Sequence, residues 1–154
     1  MTIQIDSREK PKAIKNIITE FNKQGITHFV SKLPCGDYMS LDNARFAIDR
    51  KQNLLEVCKN VCQDHKRFIN ELNRANELGI RLVFLIEHSK NINCLNDVLN
   101  WVNPRIKEHP LAVSGERLFK KLSTIEKNYN TKFYFCDKAN TGKRIIEILS
   151  EKEK

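Results

Sequence analysis

No stretch of this 154-residue chain approaches the roughly 20 consecutive apolar residues of a membrane-spanning helix. Met1 to Glu9 has no apolar signal core either. Both absences lead us to expect an intracellular protein, cytoplasmic or nucleoid-associated, with no membrane partner. Paired cysteine motifs are missing too: the cysteines number five, an odd count, and none stands in C-x-x-C spacing. Reduced thiols fit that pattern better than a disulfide framework. Acidic residues are in deficit, 19 Asp plus Glu against 27 Lys plus Arg, for a formal charge of +8. A basic domain of this size suits a polyanion such as nucleic acid, and equally a plain solvated surface. A complete phosphate-binding loop is lacking, because Asn140-Thr141-Gly142-Lys143 carries only the end of the Gly-x4-Gly-Lys-Ser/Thr pattern. No small-molecule cofactor is expected.

What is present is one domain's worth of core. Hydrophobic residues make up 40% of the chain and charged residues 30%, a globular balance in a length too short for two comfortable domains. Thr2 to Ile5 is β-prone. Ile14, Ile17, Ile18 and Phe21 recur at helical spacing up to a stop at Gly25. Residues 26–33 read as a strand and Pro34-Cys35-Gly36 as a turn. Residues 37–41 and 44–50 then form an early hairpin closed by Asp42-Asn43. Helical signals return at Leu54 to Lys59, and again at Phe68, Leu72, Ala75 and Leu78 before Gly79. Arg81 to Glu87 is a nearly continuous apolar strand, as a sheet covered on both faces requires. Residues 89–109 are irregular, with a short helix around Leu95 to Trp101. A helix over 114–129, a strand over 132–136 and a helix over 139–150 follow, then a charged tail, 151–154, expected to fray. The fold class is therefore α/β, a central mixed sheet flanked by helices.

The chemistry concentrates in a split acidic motif. Gly36-Asp37-Tyr38 is followed, a strand's length later, by Ile48-Asp49-Arg50-Lys51. Two carboxylates suit a hard divalent cation, Mg²⁺ or Mn²⁺. Period-two alternation puts Ala47, Asp49 and Lys51 on one face of the strand and Phe46, Ile48 and Arg50 on the other. Lys51 would then stand beside the acids, placed to hold a water or offset phosphate charge. Asp6 and Glu9, at the end of the first strand, are candidates to join the cluster. An acid-x-lysine pattern is also common at solvent-exposed strand ends, and the residues alone leave both readings open.

Other residues read less sharply. Cys58, Cys62 and His65 share a helical face, but a structural zinc wants a fourth ligand and none is evident, so buried thiols are the plainer expectation. Lys59, Lys66, Arg67 and Arg74 are either a solvated helix face or a phosphate-tracking surface. Trp101 fits core packing at least as well as a contact with DNA. Glu87 is expected at the surface.

Three segments together resemble the nuclease domain of the XPF-type structure-selective endonucleases, in the PD-(D/E)xK, restriction-endonuclease-like superfamily. They are Ile5-Asp6-Ser7-Arg8-Glu9, Gly36-Asp37-Tyr38 and Asp49-Arg50-Lys51, supported by Phe68 to Glu87. The resemblance spans about residues 2 to 150. It implies a restriction-endonuclease-like fold over one nuclease domain, 1–150. It also implies a metal-dependent endodeoxyribonuclease acting on branched or structured DNA in repair or recombination. The alternative is a non-catalytic DNA-binding or scaffolding partner of a nuclease complex.

Residue by residue, the resemblance implies Asp37 and Asp49 as central ligands of Mg²⁺ or Mn²⁺. Asp6 and Glu9 would complete the metal set, with Glu9 counted among the catalytic residues. Lys51 would position the attacking water. Arg50 would contact phosphate or brace an acid, and Arg8 would support the acids or meet the DNA backbone. Tyr38 is expected to pack. Homodimers or heterodimers through the nuclease domain are also implied. Two positions depart from the pattern: Asp49 stands where the family has Glu, and Leu55 stands where it has a further Asp. No helix-hairpin-helix domain is expected within these residues.

Overall fold

The computed structural model describes residues 1–88 and 91–151. The first two residues of the expected irregular stretch, 89–90, and the last three of the charged tail, 152–154, lie outside the described residues. Six strands form one mixed sheet: β1 (Thr2–Ile5), β2 (Thr27–Val30), β3 (Tyr38–Ser40), β4 (Asn43–Lys51), β5 (Arg81–His88) and β6 (Phe133–Asp137). Their order across the sheet is β2-β1-β3-β4-β5-β6. β1 is parallel to β2 and antiparallel to β3, β3 is antiparallel to β4, and β4, β5 and β6 run parallel.

Helices cover both faces. On one lie α2 (Leu54–Cys58), α3 (His65–Glu77) and α4 (Gly115–Asn128); on the other lie α1 (Lys15–Lys23) and α5 (Thr141–Ser150). Alternation along the central strands divides the core between them. Ala47, Leu82, Phe84 and Ile86 pack toward α2, α3 and α4, while Ile48, Val83 and Leu85 pack toward α1 and α5. That division explains why β5 is buried along its length.

The structure adjusts several expectations. The hairpin between β3 and β4 turns at Leu41-Asp42, since Ser40 already pairs with Asn43, and the Asp42 amide donates to Ser40 Oγ at 3.1 Å. β2 stops at Val30, and Leu33 is drawn down by its amide donating to Asp6 Oδ1 at 2.8 Å. Leu78 lies beyond the end of α3 and is half exposed, outside the buried stripe of Phe68, Leu72 and Ala75. A single π-helical turn, Lys59–Gln63, joins α2 to α3. Two 3-10 turns, Leu95–Asn100 and Pro104–Lys107, occupy the stretch before α4.

Candidate functional site

β4 is the spine of the site. Its end alternates as the sequence requires: Asp49 and Lys51 emerge on the α2–α3 side, and Arg50 passes to the other. Lys51 Nζ lies 3.4 Å from Asp49 Oδ1, and both side chains are largely buried. The Lys51 ammonium also sits over the Phe84 ring, 5.9 Å from its centroid.

Asp37 reaches Asp49 through a backbone arrangement that demands glycine. Gly36 has φ +74, and a Cβ there would lie 3.0 Å from Ala47 Cβ and 3.2 Å from the Ile48 carbonyl oxygen. Only a residue without a side chain allows the chain to enter β3 this close to β4. The Asp37 amide donates to the Ile48 carbonyl at 2.7 Å, and Asp37 Oδ2 accepts from the Arg50 amide at 2.8 Å. Burial first, then the charges of Asp49 and Glu9, push the Asp37 carboxyl up to about 8. Burial likewise raises Asp49, against the pull of Lys51 and with Glu71 and Glu56 adding to the rise. Two poorly solvated carboxylates that repel one another are the electrostatic signature of a cation site.

Arg50 is the hinge of a second network on the opposite face. Its Nε donates to Glu9 Oε2 at 2.8 Å, its Nη2 to Glu9 Oε1 at 3.2 Å, and its Nη1 to Glu87 Oε1. Tyr38 OH donates to Glu9 Oε2 at 2.7 Å, and Thr141 Oγ1 to Glu87 Oε2 at 2.8 Å. Burial works against the Arg50 charge, yet Glu9 and Glu87 overcome it and hold the guanidinium firmly protonated. With 6% of its side chain exposed, Arg50 braces two acids. The expected surface position of Glu87 is corrected: it is 4% exposed. A signal for this was available, since period two along Val83 and Leu85 places Glu87 on the Arg50 face of β5.

Asp6 and Glu9 come close to the pair but are already engaged. Asp6 is fully buried, and its oxygens accept from the Leu33 amide at 2.8 Å, the Arg8 amide at 3.1 Å and Arg8 Nε at 2.6 Å. Burial opposes ionisation there, but those hydrogen bonds hold the Asp6 carboxyl below its ordinary value. Both Glu9 oxygens serve Arg50 and Tyr38. Tyr38 itself is buried in the core. Arg8 is exposed, 72% by side chain, and feels the charges of Asp37 and Asp49.

Next to Lys51 opens a cavity of about 340 Å³ whose lining includes Lys59, Asn60, Arg67, Glu56 and Glu71. Asn60 Oδ1 is buried there without a hydrogen-bond partner in the protein. Sequence reasoning missed Glu56 and Glu71, because only the packing of α2 and α3 against β4 brings them near Asp49. Among the described residues, no group of three His, Cys, Asp or Glu side chains is arranged to hold a metal ion. A pair of carboxylates nevertheless fits Mg²⁺, which commonly takes one or two protein carboxylates and fills its remaining positions with water and phosphate oxygens. Leu55 contributes nothing to such a set; it is half-buried against the α2–α3–α4 core. Cys58 is buried with Cys62 beside it, while His65 Nδ1 is 3.1 Å from the Val61 carbonyl oxygen, so these three form no ligand set. Trp101 is buried in the core.

The architecture has solved counterparts. XPF from Aeropyrum pernix matches with a TM-score of 0.67 at 17% identity, over 97% of this chain and 63% of that one. XPF from Aeropyrum pernix in a complex with DNA matches with a TM-score of 0.66 at 15% identity, over 96% of this chain and 62% of that one. The chain thus spans somewhat under two thirds of those solved chains, and at such identity the likeness is one of fold. No curated protein matches. The model of the ERCC4 domain matches residues 5–149. With the Gly36-Asp37 and Asp49-Arg50-Lys51 segments brought together on its sheet, this chain belongs to the ERCC4 domain family.

Proposed function

We propose that this chain is a divalent-metal-dependent DNA endonuclease that hydrolyses phosphodiester bonds in branched or structured DNA during repair or recombination. The observation that carries this reading is the partly buried, mutually repelling pair Asp37 and Asp49 with Lys51 at 3.4 Å from Asp49 Oδ1. Asp37 and Asp49 would hold Mg²⁺ or Mn²⁺. Such an ion, when bound, draws charge from a non-bridging phosphate oxygen and acidifies bound water. Lys51 donates to the attacking water or to the phosphate and orients the attack in line with the leaving ester oxygen. The new bond from water oxygen to phosphorus forms as the ester bond breaks; water loses a proton and the ester oxygen gains one.

Glu9 acts in this scheme through Arg50, whose amide fixes Asp37. Asp6 holds Arg8, which faces the DNA backbone beside the acids. We also propose pairing with a second nuclease-type chain as a homodimer or heterodimer, in an intracellular, cytoplasmic or nucleoid-associated setting.

The test is cleavage of labelled flap, fork, junction and duplex DNA in Mg²⁺ or Mn²⁺. Wild type should cut at least one of them and lose cleavage in EDTA. Asp49→Ala and Lys51→Ala should each slow cutting by about two to three orders of magnitude, the scale of losing a charge-stabilising group. Undiminished cutting by Asp49→Ala would refute the site. Binding without cutting by wild type would make the chain a non-catalytic DNA-binding partner.

A further inference from the structure

A second cavity, of about 390 Å³, lies on the α4 side of the cleft. Its lining includes Lys59, Arg105, His109 and Arg117 and not one acidic residue. The cavity beside Lys51, in contrast, is lined by Glu56, Asp64 and Glu71. Among the described residues, no carboxylate pairs with Lys59, Arg105 or Arg117. Arg105 and Arg117 come from different segments, yet both are close enough to the Cys58 thiol at the cavity floor to oppose the rise that burial and Cys62 impose on it. Lys59, Arg105 and Arg117 are exposed, and cations gathered in one concavity focus a positive potential that draws in an anion.

The walls are held in place. Asn103, 2% exposed, lines the cavity and clamps both sides of it. Its Oδ1 accepts from the Arg105 amide at 3.0 Å and its Nδ2 donates to the Val113 carbonyl at 2.9 Å. Ser114 Oγ accepts from the Arg117 amide at 3.2 Å, which fixes the first turn of α4. That turn packs tightly on the preceding segment, since a Cβ on Gly115 would stand 2.4 Å from the Trp101 carbonyl oxygen and 2.5 Å from that of Val98. The backbone that carries Arg105 and Arg117 is thus fastened on both sides of the cavity, which lowers the ordering cost of binding there.

We propose that this cavity is a second phosphodiester-binding subsite, which takes a backbone phosphate of DNA away from the scissile bond. The proposal rests on the nuclease reading of the neighbouring cleft. Lys59 favours a polymer backbone over a free anion, since it lines both cavities and makes one continuous basic path from Lys51 to Arg117. Leu111, 93% exposed at the rim, and Leu55 at the floor give apolar surface for the sugar. Leu55 also bears on charge: an aspartate in its place would put a carboxylate on the lining.

The experiment measures DNA affinity by fluorescence anisotropy, with Ca²⁺ replacing Mg²⁺ so that cutting is not part of the readout. A labelled three-way junction is titrated with wild type, the double variant Arg105→Ala/Arg117→Ala and the charge-keeping double variant Arg105→Lys/Arg117→Lys. The alanine variant should bind about tenfold more weakly, with the slope of log affinity against log salt shallower by about two. The lysine variant should keep most of the affinity. Unchanged affinity and salt slope in an alanine variant that melts like wild type would overturn the proposal. So would a cavity that binds inorganic phosphate tightly while the same substitutions leave DNA affinity untouched. Failure of the nuclease reading is seen separately, as wild type that binds the junction and never cuts it in Mg²⁺.

Discussion

Arg50 and Asp37 are joined through the main chain, with the Arg50 amide donating to Asp37 Oδ2 at 2.8 Å while the Arg50 guanidinium leaves through the opposite face of the sheet to Glu9 and Glu87. One residue thereby ties the candidate metal ligand to a buried charge network extending to α5. The alternation of β4 makes this geometry available: the amide and the side chain of a strand residue address different layers. Anything that shifts Arg50 shifts the acceptor side of Asp37 as well.

Removing one partner of that network should therefore be costly. Glu87→Ala strips Arg50 Nη1 and Thr141 Oγ1 of an acceptor and leaves a buried guanidinium sharing only Glu9. A loss of about 3 kcal/mol is expected from breaking a buried ion pair, on the order of 10 °C in Tm for a domain of this size. Thermal unfolding followed by circular dichroism measures it. A variant melting within about 1 °C of wild type would show that Glu87 is not needed to compensate Arg50.

The acid pair sets a pH dependence. Asp37 stands at about 8 in the folded chain against an ordinary 3.8, raised first by burial and then by Asp49 and Glu9. Between those two values the unfolded chain has released this proton and the folded chain keeps it, so the folded state binds more protons and stability falls as pH rises. Above about 8 that contribution levels off. Thermal melts in EDTA should show the decline across this window, and Asp37→Asn should flatten it. Mg²⁺ favours the ionised carboxylates, so its stabilising effect should grow with pH over the same window and its binding should release protons. A metal-free pH profile identical in wild type and Asp37→Asn would contradict the assignment.

Gly36→Ala tests the close approach that delivers Asp37. The substitution forces an L side chain to φ +74 and presses a Cβ to 3.0 Å from Ala47 Cβ. About 2 kcal/mol of destabilisation is expected from the left-handed backbone and the crowding together. Urea unfolding gives the stability, and single-turnover cleavage should fall further than the stability change explains, because Asp37 moves with the turn. Wild-type cleavage in the variant would show that the turn does not position Asp37.

Leu55→Asp tests both the packing of this side chain and the charge of the cavity it lines. Leu55 is half-buried and packs against the core, so about 1–2 kcal/mol should be lost with its apolar contacts. The new carboxylate would stand on the lining shared with Arg105 and Arg117 and should weaken junction binding in Ca²⁺. A variant with full wild-type stability would show that Leu55 contributes little to packing.

Much of the sheet was legible from one-dimensional signals. The continuous apolar run of β5 required cover on both faces, and the alternation of β4 placed Asp49 with Lys51 and set Arg50 apart. Both follow from period two. The hairpin turn was misplaced because Asp-Asn is a strong local turn signal, whereas the register is decided by Ser40 pairing with Asn43 across the strands. Leu78 fitted the helical period of α3 and is exposed, because the helix has ended before it. Glu87 was expected outside as a charged residue at a strand end; a buried arginine on the neighbouring strand reverses that preference.

Local chemistry determines the elements here, together with the spacing that makes Asp37, Asp49 and Lys51 candidates for one site, since periodicity, glycine and turn preferences act over a few residues. Only the tertiary structure decides which charged groups are spent on one another. Arg50 pairs inward with Glu9 and Glu87, Asp6 closes on Leu33 and Arg8, and Arg105 and Arg117 stand beside Lys59 with no carboxylate partner among the described residues. Burial and the long-range meeting of segments set the strength of a charge, and neither is a property of neighbouring letters in the chain.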